Sequence, residues 1–183
     1  IDPEDKRSGR LNVMEGDSLD VAESTVTVLK SLFGKQDPFF QAVQELSARN
    51  ITLLLKEVYG DRMDMIDVLK NLRDESLLKK NVDRLRKKKG NTDLVQFFEA
   101  ELLGSMKEKY RQFVIGLRTQ LENITSNDRL RKMITGKSSI DLDEHMEKGG
   151  ILAINTSLGR LSKSGDAFGM FASMNIQQAT YRR

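Results

Sequence analysis

A run of basic side chains between residues 79 and 90 is the part of this sequence whose residue types best suit a chemical role. It reads KKNVDRLRKKKG and carries a local net charge of +6, whereas the whole chain of 183 residues carries +3. Such a density of cations contacts phosphate groups or acidic protein surfaces, although a helix face that is merely solvated is the competing interpretation. The candidate binding residues are Lys79, Lys80, Arg84, Arg86, Lys87, Lys88 and Lys89.

A helix predicted over residues 76–89 would turn part of this run to solvent. Its apolar residues recur at spacings of four and three, which predicts a buried stripe. The stripe consists of Leu78, Val82 and Leu85. At about 100° per residue, the residues opposite to it are Lys80, Arg84 and Lys87. We expect these three to form an exposed ridge, with none of them packed, that binds nucleic acid weakly and without sequence preference.

The tripeptide Gly136-Lys137-Ser138 matches the second half of a nucleotide-binding phosphate loop. The first half is missing, because Arg131 stands where the motif needs glycine, and a polar helix precedes it instead of a strand. An apolar run over residues 151–154 is followed by Asn155 and not by an acid that could hold magnesium. We therefore predict a helix end at Gly136, no catalytic site in this chain and no ATP or magnesium bound by it.

His145 is the only histidine, and it lies among the carboxylates of Asp141, Asp143, Glu144 and Glu147. Metal sites usually combine several His or Cys ligands, and the chain has no cysteine. The cluster is better explained as the capped start of a short helix, so no metal site is predicted. A Gly-x-Ser-x-Gly nucleophile motif is also absent from the sequence.

Apolar periodicity, caps and glycines predict a succession of helices. Asp37 followed by Pro38 marks one helix start, and Asn127 is expected to cap another. Ser105 with Glu108 forms a possible capping box, and Gly34 and Gly104 are expected to stop or kink helices. The predicted helices cover residues 18–33, 38–59, 63–72, 76–89, 93–103, 105–124, 128–135, 142–148 and 166–181. The residues expected in the core include Leu19, the pairs Phe39–Phe40 and Phe97–Phe98, Met63, Met65, Met170 and Met174.

The fold class predicted from these elements is mainly α, a multi-helix bundle with one short strand over residues 151–155. A lone strand cannot satisfy its own hydrogen bonds, so this one should pair with residues 1–3 or with a strand outside this sequence. The predicted organisation is an N-terminal stub at 1–16, an all-helical domain at 17–136 and a C-terminal stub of strand and helix at 137–183. The sequence has no apolar run of the ~18–20 residues that a membrane span needs.

The two ends of the chain resemble a known family. The N-terminal end carries Asp2-Pro3 and then Asn12, and the C-terminal end carries Gly136, the triplet 140–142 (Ile-Asp-Leu) and the apolar run 151–154. Asn155, Gly159 and a helix ending in arginines 182–183 complete the pattern. It resembles the TraG/TraD-like coupling-protein ATPases of conjugation and type IV secretion, in the HerA/FtsK superfamily.

The resemblance implies that the chain is the all-α domain inserted into such an ATPase, with a piece of the α/β core at each end. The phosphate loop would lie before Ile1 and the magnesium-binding acid after Arg183, so ATP and magnesium belong to the parent protein. The parent would be a membrane-tethered homo-hexamer in bacteria that translocates DNA or DNA–protein complexes. This domain would face the cytoplasm, engage DNA or a relaxosome protein, and be monomeric in isolation.

Two other functional classes remain open from the residues alone. One is a stand-alone helical adaptor that binds only proteins and has no nucleic-acid role. The other is an enzyme whose site the sequence motifs do not reveal.

Overall fold

Nine α-helices account for most of residues 1–33, 37–157, 161 and 163–182, the part of the chain that the computed structural model describes. The helices are α1 (Ser18–Phe33), α2 (Pro38–Tyr59), α3 (Met65–Arg73), α4 (Glu75–Lys89), α5 (Asp93–Phe97), α6 (Lys107–Thr125), α7 (Asp128–Ile134), α8 (Leu142–Glu147) and α9 (Lys163–Tyr181). A 3₁₀ turn at Gly60–Arg62 follows α2, and a π-helical turn at Phe98–Leu102 follows α5. The mainly α class is confirmed. Gly34, Gly159 and Arg183, which the sequence interpretation used, lie outside the described residues.

The predicted strand over residues 151–155 is wrong, because the described residues contain no strand. Its predicted neighbour is nevertheless correct. The backbone N–H of Asn155 donates to the carbonyl of Ile1 at 2.8 Å, and the amino group of Ile1 contacts the carbonyl of Ala153. Two backbone bonds to a single residue do not make a ladder, and Ile151 is 94% exposed, so the segment does not form a sheet.

Helix α6 forms the centre of the bundle. It contacts α1, α2, α3, α7 and α9. Its buried residues recur at spacings of three and four, which gives one apolar stripe along the helix. These residues are Val114, Leu117, Leu121 and Ile124, each 5% exposed or less. The chain therefore folds around α6, and the α1–α2 pair packs against one side of it.

Side-chain caps begin most helices as the sequence predicts. Asp37 accepts from the N–H of Phe39 at 2.8 Å, and Asn127 accepts from the N–H of Arg129 at 3.0 Å. The capping box predicted at Ser105 is wrong, since α6 begins two residues later without a side-chain cap bond. The N–H of Lys107 already bonds to the carbonyl of Gly104, so the chain turns at Ser105 and does not have the extended conformation of a cap.

Four residues expected in the core lie on the surface. Leu19 is 56% exposed, Phe39 59%, Phe40 42% and Met170 41%. The first three occupy the first turn of α1 or α2, ahead of Val21 and Val43, the first buried residues of those helices. Met170 lies off the stripe of α9 that buries Ala167, Phe168, Phe171 and Ala172. Helix periodicity alone cannot tell where a packed face begins.

The break predicted at Gly104 has a steric cause. The N–H of Leu103 bonds to the carbonyl of Phe98 five residues earlier, at 2.8 Å, which widens the helix into the π turn. A Cβ atom added at Gly104 would lie 2.1 Å from the carbonyl oxygen of Glu99 and 2.7 Å from that of Ala100. Only glycine lets the backbone pass this close to the preceding turn.

Gly104→Ala should therefore destabilise the protein, by roughly 2–3 kcal/mol, because the π turn must shift to admit the methyl group. Urea denaturation followed by circular dichroism measures the free energy of unfolding. Ser105→Ala, at the exposed neighbouring position, is the control and should change it by about 0.5 kcal/mol or less. An alanine variant as stable as the parent would contradict the close approach.

Lys56 and Gln44 are polar residues of α2 that are nevertheless buried, with exposed fractions of 5% and 4%. The Nζ of Lys56 donates to the carbonyl of Met14 at 3.1 Å and to the carboxylate of Asp61 at 2.5 Å. These bonds join the end of α2 to the N-terminal segment and to the 3₁₀ turn. They also satisfy the buried ammonium group, which explains why burial is tolerated.

Asp61 makes this junction sensitive to acid. Burial alone would raise the pKa of Asp61, but hydrogen bonds from Lys56 and the Gly16 N–H, together with the Lys56 charge, outweigh it and lower the pKa below 3.8. A folded-state pKa below the unfolded value adds stability that is present at neutral pH and is lost as pH falls through the folded pKa.

We accordingly expect Asp61→Asn to be less stable than the parent at pH 7, with the difference shrinking below about pH 4. Urea unfolding at a series of pH values measures this. In a Lys56→Met background the same substitution should show little pH dependence, because the partner charge is gone. A stability difference that stays constant from pH 7 to pH 3 would show that the Asp61 charge does not contribute.

Candidate nucleic-acid interface

Helix α4 presents the basic run on its solvent side. Asp74 caps its start by accepting from the N–H groups of Ser76 and Leu77, and the helix ends at Lys89. The predicted stripe of Leu78, Val82 and Leu85 is buried, with exposed fractions of 4% or less. All seven candidate binding residues are exposed, including Lys80, Arg84 and Lys87, the three that helical periodicity places opposite the stripe.

Three of the seven cations are engaged in ion pairs with other elements. Arg86 pairs with Glu99 of the π turn, whereas Lys88 and Lys89 lie 3.5 and 2.6 Å from carboxylate oxygens of Glu57 on α2. The hydrogen bond from Lys89 lowers the pKa of Glu57, and the charges of both lysines add to this effect against a smaller opposing contribution from burial. These ion pairs therefore connect the end of α4 to α2 and to the π turn.

The other four cations surround one depression on α4. Its volume is about 430 Å³, and the residues lining it are Ser76, Lys79, Lys80, Asp83, Arg84 and Lys87. Within the described part of the chain, no ion pair neutralises these four cations. With Asp83 counted, the depression has a net charge of +3. It is the most basic surface that the ion pairs leave available on α4.

Arg84 differs from the three lysines because it is held in place. Its Nη1 donates to the hydroxyl oxygen of Tyr59 at 3.3 Å and lies 3.5 Å from Oδ1 of Asn81. The Tyr59 hydroxyl donates to the same Asn81 oxygen at 2.9 Å. The expectation that none of the three ridge residues is packed is therefore wrong for Arg84, which contacts α2.

Two asparagines of this region were missed by the sequence interpretation. Asn81 is fully buried and Asn71 is 2% exposed. The Nδ2 of Asn81 donates to Oδ1 of Asn71 at 2.7 Å, and Asn71 donates to the carbonyl of Asp67 at 2.8 Å. The available signal was the position of Asn81, three residues after Leu78 and beside Val82 on the buried stripe. A polar residue at such a position needs a buried partner.

The segment Gly136-Lys137-Ser138 has the geometry of a helix end. Gly136 follows α7 with a φ of 74°, and its N–H donates to the carboxylate of Asp64 at 3.0 Å. The N–H of Ser138 donates to Glu15 at 2.8 Å. These backbone amides are bonded to carboxylates and do not face a shared cavity as a phosphate loop requires. The predicted helix end is confirmed.

The carboxylates around His145 have structural contacts. Asp141 caps α8 by accepting from the N–H of Glu144 at 3.0 Å, and Asp143 pairs with Arg182 at 2.9 Å. Among the residues that the structure describes, no group of three or more His, Cys, Asp or Glu side chains is arranged to hold a metal ion.

A second cavity lies between α6 and the corner where α3 meets α4. Its volume is about 400 Å³, and Arg73, Arg111 and Arg118 line it. Arg73 pairs with Glu122 at 2.8 Å, and Arg111 pairs with Glu75. Ile115, which is 50% exposed, also lines this groove. The combination of an accessible apolar side chain and paired charges is more typical of a protein contact than of a phosphate site.

No helix in the described ranges is both long and apolar enough to cross a bilayer. Comparison of the chain with models of known families, with curated proteins and with solved structures finds no match.

Proposed function

We propose that the chain is a substrate-engaging helical domain that contacts the phosphate backbone of DNA through α4. The observation that carries this proposal is the depression lined by Lys79, Lys80, Arg84 and Lys87, which has a net charge of +3 in a chain whose total is also +3. Lysines without a described partner can exchange their water and counterions for phosphate oxygens. The depression has no apolar side chain for a base, so the contact is to the backbone and independent of sequence.

On this proposal the domain serves a coupling ATPase of conjugation or type IV secretion, as the resemblance of the chain ends implies. The parent protein would be a membrane-tethered hexamer that supplies ATP and magnesium, with this domain on the cytoplasmic side. The proximity of the two terminal segments supports an inserted domain, because both ends of an insert must return to one place. The N–H of Arg10 donates to the Ser139 hydroxyl at 2.8 Å, and the N–H of Asn155 reaches Ile1.

Salt dependence tests the DNA contact directly. With about three phosphates neutralised on a single strand, the logarithm of the binding constant should fall with the logarithm of salt with a slope of about −2. Fluorescence anisotropy with two labelled oligonucleotides of different sequence measures the slope and the sequence preference. One isolated domain should bind weakly at physiological salt, and a hexamer would add avidity. Absence of saturable binding at about 20 mM salt would reject the DNA role.

A protein-binding adaptor is the second candidate function, and the groove beside Ile115 is the observation in its favour. The same groove could also receive a relaxosome protein in a coupling ATPase. The two functions separate by mutation: Ile115→Asp should remove a protein partner and keep DNA binding. Substitution of the α4 lysines should remove DNA binding and keep the protein partner.

A further inference from the structure

A continuous series of hydrogen bonds joins the guanidinium group of Arg84 to the backbone of α3. It runs from Arg84 to the Tyr59 hydroxyl, to Asn81, to Asn71 and finally to the carbonyl of Asp67, over distances of 3.3, 2.9, 2.7 and 2.8 Å. We propose that Tyr59 and Asn81 are positioning residues that orient Arg84 so that it presents a fixed fork of N–H donors to one phosphate group. This inference rests on the proposed DNA contact.

The donor and acceptor roles in this series admit one arrangement. The Asp67 carbonyl can only accept, so Asn71 uses its amide nitrogen there and offers its oxygen to Asn81. Asn81 then uses its oxygen for the hydroxyl hydrogen of Tyr59. The remaining lone pairs of the Tyr59 oxygen are left for Arg84. Because both asparagines are buried, water does not compete for the hydrogen bond between them.

The hydrogen bonds to Tyr59 and Asn81 engage only part of the Arg84 guanidinium group. Nη1 makes the contacts to Tyr59 and Asn81, and no described hydrogen bond engages Nη2 or Nε. The edge formed by Nη2 and Nε is therefore free, and such an edge of a planar guanidinium can bond two phosphate oxygens at once, which an ammonium group cannot do. Lys79, Lys80 and Lys87 then supply charge, while Arg84 supplies geometry. The same phosphodiester chemistry occurs in DNA and RNA backbones.

Conservative substitutions separate geometry from charge. Arg84→Lys keeps the charge, so the salt slope should stay the same while the dissociation constant for a single-stranded oligonucleotide rises about three- to tenfold. Tyr59→Phe should raise it about threefold in the parent and have no further effect in the Arg84→Lys background, because both changes act through one group. Arg7→Lys and Tyr181→Phe are matched controls on exposed residues and should bind as the parent does.

The outcomes distinguish this inference from the function on which it rests. If the parent binds no DNA, the proposed function fails and the inference with it. If the parent binds and Arg84→Lys binds equally well, only charge matters and the inference alone is overturned. Equal effects of Tyr59→Phe in both backgrounds would also overturn it, since the tyrosine would then act independently of Arg84.

A second measurement does not depend on DNA. Nitrogen-15 NMR of the arginine guanidinium groups reports how fast each one rotates. Arg84 should show slowed rotation that Tyr59→Phe abolishes, whereas the exposed Arg7 should be unaffected by that change. Free rotation of the Arg84 group in the parent would refute the positioning role, whatever the DNA affinity.

Discussion

Reversing the charges of Lys79, Lys80 and Lys87 to glutamate should eliminate the proposed DNA binding and leave the helical fold intact. The change turns the depression on α4 from basic to acidic, so phosphate is repelled where it was attracted. The salt slope should move from about −2 to near zero, and the affinity at low salt should fall by more than about tenfold. Anisotropy titrations at several salt concentrations provide both quantities.

The fold should survive because these lysines are exposed and make no described ion pair. Arg84 is left unchanged in this variant, since it contacts Tyr59. The control reverses Lys6, Lys109 and Lys132, which are exposed elsewhere and change the net charge by the same amount. It should keep most of the DNA affinity. An equal loss of DNA affinity in both variants would mean that the overall charge, and not the α4 surface, governs binding.

Asn81→Leu should destabilise the protein by roughly 2–4 kcal/mol, the second large effect that we expect. Leucine fits an apolar stripe by size, but it leaves the buried oxygen of Asn71 without its donor and the Tyr59 hydroxyl without its acceptor. A buried polar group that loses its partner costs about 1–3 kcal/mol. Urea denaturation measures the loss, and Asn123→Leu on the exposed face of α6 is the control.

A double substitution tests the cause. Asn71→Leu combined with Asn81→Leu replaces both hydrogen-bond partners by apolar groups. The double variant should therefore lose less free energy of unfolding than the sum of the losses in the two single variants, by at least about 1 kcal/mol. Strict additivity would show that the two asparagines do not act as a pair. No loss on Asn81→Leu alone would show that the network contributes nothing to stability.

Local signals in the sequence predicted most of the helices. Asp37 with Pro38, Asn127 and Asp141 cap their helices as expected, since a cap bonds only to N–H groups two or three residues away. Ser105 failed as a cap because the π turn and the close approach at Gly104 set where α6 begins. The strand predicted at 151–155 failed because apolar composition indicates a strand only where neighbouring strands complete its hydrogen bonds.

The candidate interface was predictable only in outline. Helical periodicity predicts that the stripe of Leu78, Val82 and Leu85 faces inward, because this geometry is local to one helix. It places Lys80, Arg84 and Lys87 on the opposite face. Which cations are neutralised depends on Glu57 and Glu99, and the orientation of Arg84 depends on Tyr59, which belongs to another helix. Contacts between helices are decided by how the bundle packs, and a single sequence carries no direct record of them. By itself the sequence determined a basic helix, and the tertiary structure decided that Lys79, Lys80, Arg84 and Lys87 are its accessible charges.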